Sequence, residues 1–209
     1  MIAIIDYGMG NLRSVQKAFE RIGHAAFITS EPESLKSASG VVLPGVGAFG
    51  KAMENLAAAG FVEAILEEIA RGKPFLGICL GMQLLLDESE ERFSEDEPFP
   101  KGLGVIRGRV RRFPEGLKVP QIGWNRLHQT CESRLFRGIE DGAYVYFVHS
   151  YYVDPEDSSV VSTTTDYGVT FASSLEKGRV MAVQFHPEKS SRVGLSILKN
   201  FGEVTLEWS

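Results

Sequence analysis

Short apolar runs alternate with helix-spaced apolar residues through the first half of this chain, and that alternation limits the fold more than any other feature. Ile2–Ile5 reads as a buried strand, and Leu12, Val15, Phe19 and Ile22 follow at the spacing of one helical face. Ala25–Ile28 and Gly40–Leu43 read as further strands, the second ending in Pro44-Gly45. Phe61–Ile69 has the pattern of an amphipathic helix stopped by Gly72. Lys73–Ile78 is the next strand, and Met82–Leu86 begins the helix after it. Strand and helix repeated in this way predict a parallel sheet covered on both faces.

The second half changes character without a linker. Val105–Arg112, Val119–Trp124, Tyr144–Val153, Val160–Thr164, Val169–Ser174 and Arg179–Phe185 read as strands bounded by turn residues. Some of them should run antiparallel, which makes the expected sheet mixed. A last helix is expected over about Val193–Phe201. Asp87–Glu97 carries seven acids against one Arg and reads as a solvated loop between the halves. No internal repeat or low-complexity tract interrupts the chain, so residues 1–209 are expected to form a single domain.

Composition removes several classes of function. A content of 44% hydrophobic and 23% charged residues is ordinary for a globular protein. The net charge of −5 disfavours global attraction to nucleic acid or an anionic membrane. The two cysteines, Cys79 and Cys131, have no CxxC or CxxH spacing, so neither a disulfide framework nor a zinc site is expected. Met1–Asp6 lacks a signal peptide's basic start, and no apolar segment approaches the roughly 18–20 residues that span a bilayer. A cytoplasmic, reducing location is the expectation, and a free thiol stays reactive there.

Cys79 is where chemistry is expected. A lone cysteine in an apolar strand is usually small core packing. Here it sits in Gly77-Ile78-Cys79-Leu80-Gly81-Met82-Gln83, directly after an apolar run, with glycines on both sides at the spacing of a nucleophile elbow. The strand stops there, which places the thiol at the carboxyl end of the sheet, where open α/β folds bind ligands. The following helix aims backbone N–H groups at the sulfur and favours thiolate. Cys131, in the polar context Gln129–Glu132, has none of these features.

Two further segments complete a reaction centre. His186-Pro187-Glu188 ends the last apolar run, and His186 could simply be a strand-end residue bonded to the backbone. Pro187 restricts His186 to extended geometry, however, and Glu188 can turn back toward the imidazole as its orienting carboxylate. The tripeptide is weak alone and strong beside Gly-x-Cys-x-Gly. Pro44–Gly50 reads by itself as a glycine-rich strand cap. Acyl chemistry on a cysteine needs donors for an oxyanion, and Gly47 together with the amide of Leu80 supplies two.

Glycine loop, Gly-x-Cys-x-Gly-x-Gln and His-Pro-Glu, in this order, resemble the class I (triad-type) glutamine amidotransferases. The resemblance covers the whole chain. It implies a flavodoxin-like three-layer α/β fold with a mixed, mostly parallel sheet and helices on both faces. Within that family, Asp6–Leu12, Pro44–Phe49, Gly77–Gln83, Gln121–Asn125, Tyr146–Tyr151 and His186–Ser190 together resemble the glutaminase subunits of imidazole glycerol phosphate synthases. That likeness implies hydrolysis of L-glutamine by a triad of Cys79, His186 and Glu188. Gln83 would hold the amino-acid end of the substrate, and Tyr146, His149, Ser150 and Tyr151 would line its pocket. The ammonia would pass to a (β/α)8-barrel cyclase subunit in histidine biosynthesis, contacted through Asn11, Trp124 and Lys189. Read without the likeness, Trp124 is ordinary core and Lys189 a solvated charge. The resemblance implies neither a cofactor nor a metal.

Other readings are weaker. Gly8-Met9-Gly10 begins like a dinucleotide fingerprint, but Arg13 stands where the third glycine belongs. Arg107–Arg112 is basic, yet Gly108 and Val110 alternate with its arginines, which suits a hairpin with one charged face better than a nucleic-acid patch; an acidic partner could also use it. A glutaminase serving a pyridoxal phosphate or anthranilate system would share the triad without the Gly123-Trp124-Asn125 context. A non-catalytic subunit would be expected to lose Cys79, His186 or Glu188.

Overall fold

Every residue of β1 (Ile2–Ile5), β3 (Gly40–Gly45), β4 (Phe75–Cys79) and β13 (Val180–Val183) is buried, because these strands lie inside a sheet with protein on both faces. In the computed structural model, which describes residues 1–92, 94 and 96–208, they form its parallel centre together with β2 (Ala26–Thr29). The order there is β2-β1-β3-β4-β13. Side chains alternate between the faces. Ile2, Ile4, Val42, Leu76, Ile78, Met181 and Val183 belong to one core with α1 (Leu12–Arg21) and α5 (Ser191–Leu206). Ala3, Ile5, Val41, Leu43, Phe75 and Ala182 belong to the other, against α2 (Phe49–Ala58) and α3 (Phe61–Ala70). Phe19 of α1 and Phe201 of α5 pack with ring centroids 6.2 Å apart, each side chain contributing roughly 2 kcal/mol through burial. The result is a three-layer α/β fold.

The remaining strands extend the sheet in mixed directions. After the one-turn α4 (Leu80–Gln83) come β5 (Glu88–Ser89), β6 (Gly108–Arg112), β7 (Gln121–Arg126), β8 (His128–Gln129), β9 (Tyr144–His149), β10 (Tyr151–Pro155), β11 (Val161–Asp166) and β12 (Thr170–Lys177). β12 pairs antiparallel with β13, and β10, β6 and β5 continue the sheet beyond it. β7 and β9 form a separate antiparallel pair. Val145 and Phe147 of β9 join the core beneath α5, so this pair covers the end of the sheet where β4 and β13 finish. No helix among the described residues is long and apolar enough to cross a membrane.

Four local expectations change. The helix expected over Met82–Leu86 starts at Leu80 and lasts one turn. Its continuation is diverted because the carbonyls of Leu84, Leu85 and Leu86 accept from the amides of 103–106. The run Tyr144–Val153 is two strands, broken at Ser150, with one half pairing to β7 and the other to β6. Arg107–Arg112 is not a hairpin. Its strand β6 pairs with distant β10 and with β5, burying Val110 while Arg109 meets Glu88 at 2.5 Å and Arg111 meets Asp154 at 2.6 Å. The acidic segment 87–97 is not wholly solvated: Ser89 is fully buried in β5, and Glu91 folds inward; residues 93 and 95 lie outside the described residues. Helix α2, which no sequence pattern singled out, directly follows the glycine loop.

Candidate active site

β3, β4 and β13 end side by side, and each delivers one part of the site. Gly45 of β3 pairs with Cys79 of β4, and β13 flanks β4 on its other side. Cys79 has φ +55 and ψ −109, a strained conformation for a residue with a side chain. Such strain is characteristic of a nucleophile elbow, and close packing sustains it here. A Cβ on Gly77 would stand 2.7 Å from the carbonyl oxygen of Gly81, and one on Gly81 would overlap the Leu43 carbonyl. The two glycines therefore let the chain reverse against β3. The turn leaves the Cys79 side chain almost wholly buried.

His186 follows β13 and is fixed through its backbone. Its amide donates to the Tyr146 carbonyl at 2.9 Å, and its carbonyl accepts from the Ser190 hydroxyl at 2.7 Å. That hydroxyl in turn accepts from the Tyr146 amide at 2.9 Å, locking the strand end to β9. Pro187–Lys189 forms a single 3-10 turn, which brings Glu188 back over the histidine. Glu188 Oε1 lies 2.9 Å from His186 Nδ1, and both side chains are out of solvent. The other ring nitrogen, Nε2, is buried and bonded to no described residue, leaving it open for proton transfer. Burial pulls the imidazole down, but the Cys79 thiol and the Glu188 carboxylate outweigh it, and the pKa is pushed up to about 9. A protonated His186 therefore sits beside the sulfur.

The sulfur opens on a cavity of about 330 Å³ lined by Gly47, Leu80, Gln83, Glu91, Ser150 and Tyr151, among others. Cys79 Sγ also lies 3.9 Å from the Val148 carbonyl, toward which the thiol donates. Gln83 uses its Nε2 on the Tyr151 carbonyl and on Gln184 Oε1, both at 3.1 Å, and so keeps its oxygen as an acceptor. Glu91 accepts from the Phe49 amide at 2.7 Å and closes the wall beside α2. Burial raises its carboxyl pKa, partly opposed by that amide. No sequence signal marked Glu91, because it sits in a run of acids that read as solvated.

The other expected residues divide. His149 reaches the cavity wall, but its ring packs among Phe113, Phe147 and Phe171, and its Nδ1 lies 2.7 Å from the Tyr151 carbonyl. Burial pushes its pKa down to about 4, with the bond to Tyr151 opposing and the His186 charge assisting. Tyr146 does not line the cavity; it packs edge-on against Trp124, centroids 6.1 Å apart. Trp124 is 52% exposed, so it is not ordinary core, and Ile122, Asn11 and Lys189 are exposed as well. Gly47 has φ +104 and lies over the end of the Met9 side chain. Among the described residues, no group of three or more His, Cys, Asp and Glu side chains could hold a metal ion.

Known proteins share this sequence and this shape. The profile of the glutamine amidotransferase class-I family matches residues 3–204. Imidazole glycerol phosphate synthase subunit HisH of Syntrophotalea carbinolica is 56% identical, over 98% of this chain and 100% of its own. The protein of the same name from Methanothermobacter thermautotrophicus is 53% identical, over 98% of each chain. Among solved structures, a crystal structure of a glutamine amidotransferase superposes with a TM-score of 0.75 at 19% identity, covering 98% of this chain and 99% of that one. The structure of PurLQS from Thermotoga maritima gives 0.74 at 19% identity, over 99% of this chain and 97% of that one. At such low identity these two establish the fold.

Proposed function

The chain belongs to the class I glutamine amidotransferases, and within that family we propose that it is the glutaminase subunit of an imidazole glycerol phosphate synthase. It hydrolyses L-glutamine and passes the ammonia to a (β/α)8-barrel cyclase subunit in histidine biosynthesis. The observation that carries the chemistry is the convergence of a strained Cys79 and the His186–Glu188 pair at the ends of adjacent parallel strands.

Glutamine enters the cavity with its α-ammonium toward Gln83 Oε1 and the Glu91 carboxylate, two acceptors of the wall. Cys79 Sγ attacks the side-chain amide carbon. The carbonyl electron pair moves to oxygen, which the amides of Gly47 and Leu80 stabilise. The tetrahedral centre collapses as protonated His186 Nε2 gives its proton to the departing nitrogen, releasing ammonia and leaving a glutamyl thioester. Neutral His186 then takes a proton from water. The resulting hydroxide attacks the thioester carbonyl, the carbon–sulfur bond breaks, and glutamate leaves with the thiolate restored. Glu188 holds the imidazole in orientation throughout.

Asn11, Trp124 and Lys189 form the contact with the cyclase in this reading. Their exposure supports it, as does the position of Trp124 on β7, beside the strand that anchors His186.

Reconstitution with a barrel cyclase tests the proposal. Cys79→Ala should abolish glutamine-dependent formation of imidazole glycerol phosphate while ammonia-dependent formation continues. Glutamine use that survives the substitution would overturn the nucleophile assignment.

A further inference from the structure

Gln184 lies beside the reacting sulfur and behind the Gln83 wall of the cavity, in a position that no motif marked. It follows β13 and is fully buried. Its Nε2 lies 3.6 Å from Cys79 Sγ, and its Oε1 accepts from Gln83 Nε2 at 3.1 Å.

The hydrogen-bond chain fixes which way each amide points. The Tyr151 carbonyl can only accept, so Gln83 must present its NH2 group there. The same NH2 group reaches Gln184, which must answer with its oxygen. The NH2 group of Gln184 is therefore left for the sulfur. A buried amide would be costly without a partner, and the sulfur is the partner it has.

We infer that Gln184 is a working donor to the Cys79 thiolate, and that Gln83 and Gln184 together couple occupancy of the cavity to the nucleophile. This rests on reading Cys79 as the residue that attacks glutamine. The titratable groups that face the sulfur are His186 and Tyr7, and two neutral groups compete for its hydrogen bonds. The Val148 carbonyl, 3.9 Å away, favours the protonated thiol, whereas the Gln184 amide favours thiolate. An ammonium donating to Gln83 Oε1 polarises that amide and strengthens its bond to Gln184. Gln184 in turn binds the sulfur more strongly, because linked hydrogen bonds reinforce one another. Substrate binding thereby shifts the sulfur toward thiolate.

The test is the pH dependence of Cys79 alkylation by iodoacetamide, in a chain whose exposed second thiol is removed by Cys131→Ser. Gln184→Met keeps the bulk and loses the donor. Gln184→Glu keeps an acceptor for Gln83 and also loses the donor. Both should raise the alkylation midpoint by about one pH unit. In the complex, kcat for glutamine should fall about tenfold, with KM moving much less. An unchanged midpoint in a variant that melts like the parent would overturn the inference, since Gln184 would then only fill space. Should neither variant fold, Gln83→Leu decides by the same readout: it removes the anchor of Gln184 and must raise the midpoint, and an unchanged value refutes the relay. Glutamine use surviving Cys79→Ala would instead refute the underlying reading, so the two failures are distinct.

Discussion

Gly45 and Cys79 face each other as the last matched pair of the parallel β3–β4 ladder. The glycine loop therefore leaves the sheet at the level of the sulfur, where an oxyanion would form. A Cβ on Gly45 would stand 2.5 Å from the Tyr7 hydroxyl and 2.9 Å from Leu80 Cβ, so the elbow and the loop have no room to separate. Gly45→Ala should displace both and lower glutamine turnover about 100-fold, the scale of a misplacement near 1 Å. Tyr7→Phe removes the nearer obstacle and should restore part of the loss. Additive effects of the two changes on kcat would contradict this packing.

Gly81→Ala makes a sharper case. Its new Cβ overlaps the Leu43 carbonyl, and backbone cannot swing aside as a side chain does. The expected destabilisation is about 3 kcal/mol, read from urea unfolding. Gly47→Ala meets only the flexible end of Met9, so its cost comes from φ +104 and should be about 1–2 kcal/mol. Equal stability of the two variants would refute the comparison.

Two histidines set opposite pH limits on stability. His186 holds its proton up to about 9, whereas an unfolded imidazole releases it near 6.5. Its contribution is complete below about pH 6.5 and lost as the pH rises through 9. His149, pushed down to about 4, contributes in the neutral form; that contribution is complete above about pH 6.5 and lost as the pH falls through 4. Denaturant unfolding from pH 4 to 10 should therefore decline on both sides. His149→Phe should flatten the acid side alone; an unaltered acid decline would show that other groups cause it.

Trp124 is expected to anchor the cyclase. Trp124→Ala should weaken the complex at least tenfold by titration calorimetry, in line with a loss of about 2 kcal/mol for a central aromatic anchor. Cys79 alkylation in the isolated chain should not change. Undiminished affinity would remove Trp124 from the contact.

Glutamine hydrolysis should be feeble in the isolated chain and strongly raised when the barrel partner carries its nucleotide. In the proposed mechanism the Gly45–Gly47 loop supplies one oxyanion donor, and docking of the partner would complete its placement. Full glutaminase activity of the chain alone would contradict this coupling.

The parallel centre was legible because strands buried on both faces are continuous apolar runs, as Ile2–Ile5 and Phe75–Ile78 are. The flanks of Cys79 were legible for a steric reason: Gly77 and Gly81 stand where a side chain cannot fit. What escaped depends on partners far along the chain. The short α4 ends because the segment at 103–106 takes the carbonyls of Leu84–Leu86 that follow it, and Ser150 divides a run whose two halves pair with different strands. Glu91 and Gln184 escaped for a related reason. An acid in an acidic run and a glutamine in an apolar one acquire roles only through the groups they meet in space.

The most direct measurement is to trap the acyl intermediate. The chain and its cyclase partner, with nucleotide bound, are mixed with glutamine, quenched in acid within the first turnover, and mapped by peptide mass. A glutamyl group on the peptide containing Cys79, absent in Cys79→Ala, is the predicted result. Glutamate accumulating with no adduct on Cys79, or an adduct on Cys131 in its place, would contradict it.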